Sequence, residues 1–312
     1  MNDATTQMKN AVVLEHLFST DSGMQKQAAD NLNDYIRVEA REDAVVRSIF
    51  TPQTVTQADL DPQAGYEEPT KLFEKEPDTP PAVTVPFGAS TDAIEIEGDE
   101  FLLVFNIIRT LKKRKSKFLL MRYKNDIRNI LTDLDMKEIS EHEDRRFFAT
   151  VDSLLGGAAG TSLTAAGSVA LWQTIAGGLT PETWVDMMQI MPKASGRFMP
   201  ATVVMNMVRA EEFFSWSAQE LGDAVKQEVL ANGWTMKKVD GKNIIVTIKR
   251  DIVGDNDVYM FAEPDKIGKM CILQDATIYP KAEGEMLEWY VLECLGLTIA
   301  NVTGIAKATL SG

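Results

Sequence analysis

Apolar residues four apart open the readable part of the chain. Met24, Ala28, Leu32 and Ile36, with Val45, Val46, Ile49 and Phe50 resuming the stripe, predict helix over residues 7–50, closed by Pro52. Between 51 and 70 the residues turn to Thr, Gln, Asp, Pro and Gly with no period. This is an extended connection and not a packed element, and it leaves the N-terminal arm semi-detached. Residues 70–108 then read as a long, exposed β-hairpin. Its outward leg carries Pro77, Pro80, Pro81 and Pro86, and its return leg alternates strictly as Ala93-Ile94-Glu95-Ile96-Glu97. Beyond Gly98, Phe101-Leu102-Leu103-Val104-Phe105 is apolar on both faces, the mark of a strand entering a core.

Residues 118–155 lack Pro and Gly until Gly156-Gly157. Phe147, Phe148, Val151, Leu154 and Leu155 form an apolar stripe while Glu138, Glu141, Asp144 and Arg145 take other faces, which predicts one long helix, kinked near Asp133-Leu134-Asp135. A small-residue stretch, 156–170, follows. Thr180 then caps a helix with Pro181 in its first turn, and Thr183 stands where Glu or Gln would complete a capping box, so the box is read as incomplete. Strand 201–205, helix 209–231 and strand 244–248 alternate as in a mixed α/β core. Strands at 258–262, 270–273, 287–292, 297–301 and 305–310 close the chain, and no internal repeat is visible.

Composition narrows the function classes. With 45% hydrophobic and 25% charged residues over 312 positions, the chain has an ordinary globular composition, and wholesale disorder and collagen-like structure are excluded. The charge balance, 32 Lys+Arg against 46 Asp+Glu, gives −14, which disfavours indiscriminate DNA binding by the whole surface. Cys271 and Cys294 are too few for a disulfide scaffold and are expected to be reduced and structural. Only His16 and His142 are present, which argues against His-dependent catalysis and His-based metal sites. No apolar run approaches the roughly 20 residues of a membrane span, and Met1-Asn2-Asp3-Ala4-Thr5-Thr6 lacks the basic region of a signal peptide. A protein made and assembled in the cytoplasm, without membrane contact, is the expectation.

Motifs that carry chemistry are scarce. Gly156-Gly157-Ala158-Ala159-Gly160-Thr161 lacks the Lys of a phosphate loop. Asp255-Asn256-Asp257 could open a calcium loop, but its twelfth position is Lys266, so it reads as a turn. The acids Asp133, Asp135, Glu138, Glu141, Glu143, Asp144 and Asp152 read as a solvated or subunit-contacting face with His142 beside them. No catalytic residue, metal ligand or cofactor site is assigned, and an enzyme is not expected.

Charge segregation is the unusual feature. Residues 66–100 hold ten acids and two lysines, while 109–128 hold nine Lys+Arg against Asp126 alone. Arg109, Lys112, Lys113, Arg114, Lys115 and Lys117 form a candidate basic cluster, facing either DNA phosphates or an acidic partner surface; a solvated helix start is the bland alternative. Glu74, Glu76, Asp78, Glu95 and Glu97 are the candidate contacts of the extended loop. A hairpin of this length does not stabilise itself in water and needs a surface to lie upon, which points to a neighbouring subunit.

The order of arm, hairpin, long helix, α/β region and late strands, together with Val85-Pro86-Phe87-Gly88, Glu143-Asp144-Arg145-Arg146-Phe147 and the stretch Val258-Tyr259-Met260-Phe261-Ala262-Glu263-Pro264-Asp265-Lys266-Ile267-Gly268-Lys269, resembles the major capsid proteins of tailed bacteriophages. The resemblance implies an α+β, Hong Kong 97-like fold. It divides the chain into an N-terminal arm and linker (1–65), an extended loop (66–108), a peripheral domain (109–159 and 271–302) with its spine helix, and an axial domain (160–270 and 303–312). It implies self-assembly as hexamers and pentamers into an icosahedral head around double-stranded DNA, with portal, scaffold and decoration proteins as further partners and the virion as its location. A separate scaffold is expected, since no long N-terminal scaffolding segment is evident. No Lys, Asn and Glu positions match the crosslinking set of some relatives. The rivals are an encapsulin-type compartment, which encloses protein instead of DNA, and an acidic carboxylate- and metal-dependent enzyme, which would remain a small oligomer with metal-dependent activity.

Overall fold

The computed structural model describes residues 3–19, 23, 24, 26–28, 30, 44–61, 68–75, 84, 87, 99–122, 127–156, 170–194, 196–216 and 238–311. In chain order its helices are α1 (Asp3–Leu17), α2 (Val45–Ile49), α3 (Lys117–Met121), α4 (Ile127–Leu154), α5 (Pro181–Met188), α6 (Ile190–Lys193), α7 (Met207–Ala210) and α8 (Pro264–Ile267). Its strands are β1 (Gln53–Thr54), β2 (Thr70–Lys75), β3 (Asp99–Arg109), β4 (Lys113–Ser116), β5 (Trp172–Ala176), β6 (Thr202–Asn206), β7 (Lys238–Val239), β8 (Lys242–Thr247), β9 (Asp257–Phe261), β10 (Gly268–Glu283), β11 (Met286–Ile299) and β12 (Ile305–Ser311). They build two six-stranded sheets. The first runs β1-β10-β11-β3-β2 with β4 also on β11, and the second runs β5-β12-β9-β6-β8-β7.

Several expectations are corrected. The helix expected over 7–50 is interrupted after Leu17; the described residues among 23–30, Met24 and Ala28 included, are helical again and α2 follows, while Leu32 and Ile36 lie outside the described residues. The connection at 51–70 is partly packed: β1 joins β10 in parallel and Val55 is buried. The three strands expected at 270–273, 287–292 and 297–301 are one long hairpin, β10–β11, paired from Gly268↔Ile299 to Glu283↔Met286. Two register shifts near Gln274 absorb its curvature. Gly268 fits its start because a Cβ there would lie 2.0 Å from the Thr298 carbonyl oxygen. The described part of the expected helix 209–231 is α7 and a 3-10 turn, Glu211–Ser215. At α5 the box is complete, since Thr183 Oγ1 accepts from Thr180 N at 2.8 Å while Thr183 N donates to Thr180 Oγ1. A threonine hydroxyl does the work expected of a glutamate.

Helix α4 spans 28 residues, about 42 Å at 1.5 Å per residue. It continues without interruption through Asp133–Asp135, where the sequence suggests a kink. Its buried side carries Met136, Ile139, Phe147, Phe148, Val151 and Leu155. Phe147 meets Phe50 of the arm, Phe148 and Phe261 of β9, all with ring centroids under 6 Å.

The same side buries acids that the sequence reading placed in solvent. Asp135, Glu143 and Asp144 are buried, whereas His142, Arg145 and Arg146 are exposed. Each acid is tied to another part of the chain. Asp135 accepts from Trp289 Nε1 of β11 at 2.9 Å. Asp144 accepts from the N–H groups of Val45 and Val46, capping α2, and from Lys249 Nζ at 2.7 Å. Burial raises its pKa, opposed by these three donors. Glu143 receives Arg47 Nη2 at 2.7 Å, and the same guanidinium reaches Glu293 of β11. Near the helix's end, Asp152 accepts from Tyr259 and from Lys307 of β12 at 3.1 Å, and Lys307 also pairs with Asp257 and lies over the rings of Trp172 and Tyr259.

The Arg47 site holds two carboxylates around one cation. Burial pushes Glu293 up to about 9, helped by the neighbouring charge of Glu143 and opposed by Arg47. Glu293 is thereby biased toward its protonated form at neutral pH, which lowers the net negative charge around Arg47. Arg47→Met strands Glu143 and should cost about 3–5 kcal/mol, while replacing Arg47, Glu143 and Glu293 together by Met and Leu should restore most of it. Urea unfolding of the purified chain measures both, and an unchanged midpoint for Arg47→Met would remove the triad's role.

Glu293 also sets a pH dependence. Its pKa is raised on folding, so between about 4.3, the unfolded value, and about 9 the folded chain holds a proton that the unfolded chain has released. This group's contribution is greatest below that window and is lost as pH rises through it. The exposed acids with lowered pKa, such as Asp251 and Asp265, act with the opposite sign and only at acid pH. Between pH 5 and 9 the urea midpoint of Glu293→Gln should therefore fall less than that of the unsubstituted chain, and equal slopes would show that Glu293 is ionised in the fold.

Candidate functional site

Only the last residue of the basic cluster, Lys117, begins a helix, α3. Arg109 ends β3, and Lys113, Arg114 and Lys115 lie on β4, paired with β11 from Ser116↔Met286 to Lys113↔Trp289. This pairing brings several of the charges beside acids and rings of the same chain. Lys113 Nζ lies 3.0 Å from Asp135 Oδ1 and 3.2 Å from Glu138, an ion contact without hydrogen-bond alignment. Arg114 pairs with Glu288 at 3.3 Å. Arg109 stacks over Tyr290 at 3.9 Å, and Lys117 lies over Phe18 at 4.9 Å. Arg109, Lys113, Arg114 and Lys117 thus have partners within the chain, and Lys115 is engaged as well. Lys112 is exposed beside Leu111 at the β3–β4 corner.

Around this corner the surface is apolar as well as basic. Ile107, Leu111, Phe118, Leu119 and Met121 are all exposed. Exposed large apolar side chains beside cations are candidates for contact with a partner surface. The sequence reading singled out the charges here and missed these residues. Their signal was legible as the apolar run 118–121 directly after five cations.

Of the candidate loop acids, Glu74 is exposed on β2, and Glu76, Asp78, Glu95 and Glu97 lie outside the described residues. The β2–β3 register sets Glu74 opposite Glu100, with Phe73 stacked on Phe101 one position inward. Like charges directly across a ladder destabilise it. The hairpin base thus carries an electrostatic cost that a cation from outside the hairpin would relieve.

A pocket of about 220 Å³ lies between α4 and the first sheet, lined chiefly by Val46, Ile108, Phe147, Leu295, Leu297 and Ile299, with Arg146, Asn106 and Thr150 also on its wall. Cys271 and Cys294 are buried, unpaired thiols in the satellite core under the hairpin base, and burial raises the pKa of both. They are structural and unreactive in this setting. No cluster of three potential metal ligands occurs among the described residues. Asp255 and Asn256 instead hold Arg250 and Arg209. No helix of the described residues is long and apolar enough to cross a membrane.

No protein-family model and no curated protein matches the chain. Solved structures do. A chain from Mycobacterium phage Cain aligns at a TM-score of 0.56 and 12% identity, over 86% of this chain and 91% of that one. The capsid of the native GTA particle aligns at 0.54 and 14%, over 87% and 91%. A virus-like particle from Pyrococcus furiosus aligns at 0.51 and 15%, over 89% and 98%.

The Glu74–Glu100 pair gives a test of what the hairpin base faces. Glu74→Lys turns a repulsive cross-strand pair into an attractive one, so the isolated subunit should resist urea slightly more. Self-association measured by light scattering at low salt should weaken if a neighbour's cation occupies that position, and undiminished association would show that the base faces solvent.

Proposed function

We propose that this chain, which has the fold of phage capsid proteins, is a major capsid protein that assembles into the icosahedral head around a double-stranded DNA genome. The observation that carries the reading is the extent of the likeness: capsid chains align over nine-tenths of their own length with no large part of this chain left over. The charged and apolar surfaces support it. A hairpin with repelling acids at its base and an exposed corner of cations and large apolar side chains are expensive in a free subunit and useful at repeated contacts.

In this reading the hairpin of residues 66–108 extends over a neighbour in hexamers and pentamers of a Hong Kong 97-like shell. Residues 109–159 and 271–302 form the peripheral domain, and 160–270 with 303–312 form the axial one. Lys112 and its neighbours guide register through charge matching more than they supply affinity. Portal, scaffold and decoration proteins and the packaged DNA are the further partners, with assembly in the host cytoplasm.

A shell that encloses protein cargo is the second reading, favoured by the likeness to a virus-like particle. Content separates the two. Electron microscopy of the expressed protein should show uniform closed shells, and particles from an infected host should hold nuclease-protected DNA of a single length. Shells containing one co-purifying protein and no DNA would establish the compartment. A species of 34.6 kDa alone, at high concentration and with a scaffold supplied, would end both.

A further inference from the structure

Away from the corner where the cations are engaged, a second basic surface keeps most of its charge unmet. A groove of about 590 Å³ runs between the loop after α6, the β7–β8 hairpin and α8, with Ser48 and Ile49 of α2 also on its wall. Arg197, Lys238, Lys242 and Lys266 line it against a single acid, Glu263. Glu263 lies 2.7 Å from Lys266, an exposed pair that leaves the other three cations alone. Arg197 and Lys238 are exposed and Lys242 is half-buried. None of the three has an ion pair or a side-chain hydrogen bond among the described residues.

The backbone holds these cations on one groove. Asp240 and Gly241 take φ of 49° and 72°, the tight turn of a two-residue hairpin, which fixes Lys238 and Lys242 on either side of it. The acid of that turn, Asp240, is exposed and off the groove's wall. Arg197 has a φ of 51°, a conformation that Gly or Asn adopts with less strain. The lining also separates a phosphate partner from a protein one. Met199 is its only exposed large apolar side chain among the described residues, whereas five such residues stand around the β3–β4 corner. Protein contacts draw on buried apolar anchors, and phosphate contacts draw on cations. In a chain of net charge −14, three unpaired cations on one polar groove fit a polyanion.

We infer that this groove receives the phosphate backbone of the packaged DNA, with Arg197, Lys238 and Lys242 each meeting a phosphate. The inference rests on the shell reading, and it turns the face that bears the groove toward the interior of the shell. It reads no base sequence, because the contacts are to the backbone alone. The basic block at 109–117, largely engaged within the chain, is then not the main DNA contact.

Lysine acetylation of whole particles, read by mass spectrometry, tests this on the unsubstituted chain. Lys238 and Lys242 should react several-fold more slowly in DNA-filled shells than in empty ones, while Lys112 and Lys193 react alike in both. A second arm uses the purified chain below its assembly concentration and a 20-base-pair duplex, followed by fluorescence anisotropy. Three neutralised phosphates require the affinity to fall about fortyfold between 50 and 200 mM salt. The triple variant Arg197→Gln, Lys238→Gln, Lys242→Gln should lose most of that binding and its salt dependence with the urea midpoint unchanged. Equal reactivity of Lys238 and Lys242 in full and empty shells would overturn the groove and leave the shell reading standing. Protection already complete in empty shells would place a neighbour's acids there and overturn it too. Tripolyphosphate that displaces the duplex at equal phosphate concentration would make the groove a small-anion site and overturn the DNA assignment. Absence of any shells would overturn both readings.

Discussion

Three carboxylates buried on one helix set the terms for the rest of this molecule. An ionised acid out of water is tolerated only where a donor or cation meets it. Asp135, Glu143 and Asp144 therefore require Trp289 and Lys113, Arg47, and Lys249 with the first amides of α2 at fixed positions. Those partners come from β11, β4, the N-terminal segment and the turn after β8. An apolar stripe alone would let α4 slide or rotate against its sheet at modest cost. The acids remove that freedom, because a shift by one residue would leave buried charge unmet.

Asp152 extends the same logic to the second sheet. Its bonds to Tyr259 and Lys307 join the end of α4 to β9 and β12, while Asp135 joins its beginning to β11. Burial, then the charges of Asp152 and Asp257, push the Tyr259 phenol up, so it remains a donor at any physiological pH. One helix thus fixes the two sheets to each other through polar contacts at both ends and aromatic packing between them. The β2–β3 base shares in none of this. It rests on its own small core of Leu103, Phe105, Val55 and the two cysteines.

The parts of the fold written in local pattern were legible in the sequence. Strand 101–105 enters a core with Leu103 and Phe105 buried, the cap at Thr180 forms, the strand expected at 201–205 is observed one residue on at 202–206, and Asp255-Asn256 turn into the strand that starts at Asp257. The likeness to phage capsid proteins, carried by element order and a few short stretches, agrees with the structural matches. The spine acids were misread because polarity was taken as exposure. Stepping back four residues at a time from Phe147-Phe148 reaches Glu143-Asp144, Ile139-Ser140 and Asp135-Met136, so their burial was encoded in the stripe itself. Their partners were not, since a lysine on β4 and an arginine on α2 come together only through tertiary pairing. The strand β4 was hidden for the same reason: four successive charged or hydroxyl residues make a poor strand by propensity and become one because β11 offers its edge.

That most of the basic block is spent within the chain changes what assembly can draw upon. A cluster of six free cations would bind any polyanion indiscriminately, whereas Lys113, Arg114, Arg109 and Lys117 are already engaged by acids or rings. What remains at that corner is a small charge beside a larger apolar area. Charge of that size is screened over about 8 Å at physiological ionic strength, so in the proposed shell it would steer an approaching neighbour only at close range and leave affinity to the apolar side chains. Each such contact is weak alone. Repeated around a closed ring of the proposed shell, where every subunit would both give and receive it, the same contact would be strengthened by effective concentration. A subunit with modest contacts can then stay soluble when free and be held firmly once the ring is complete.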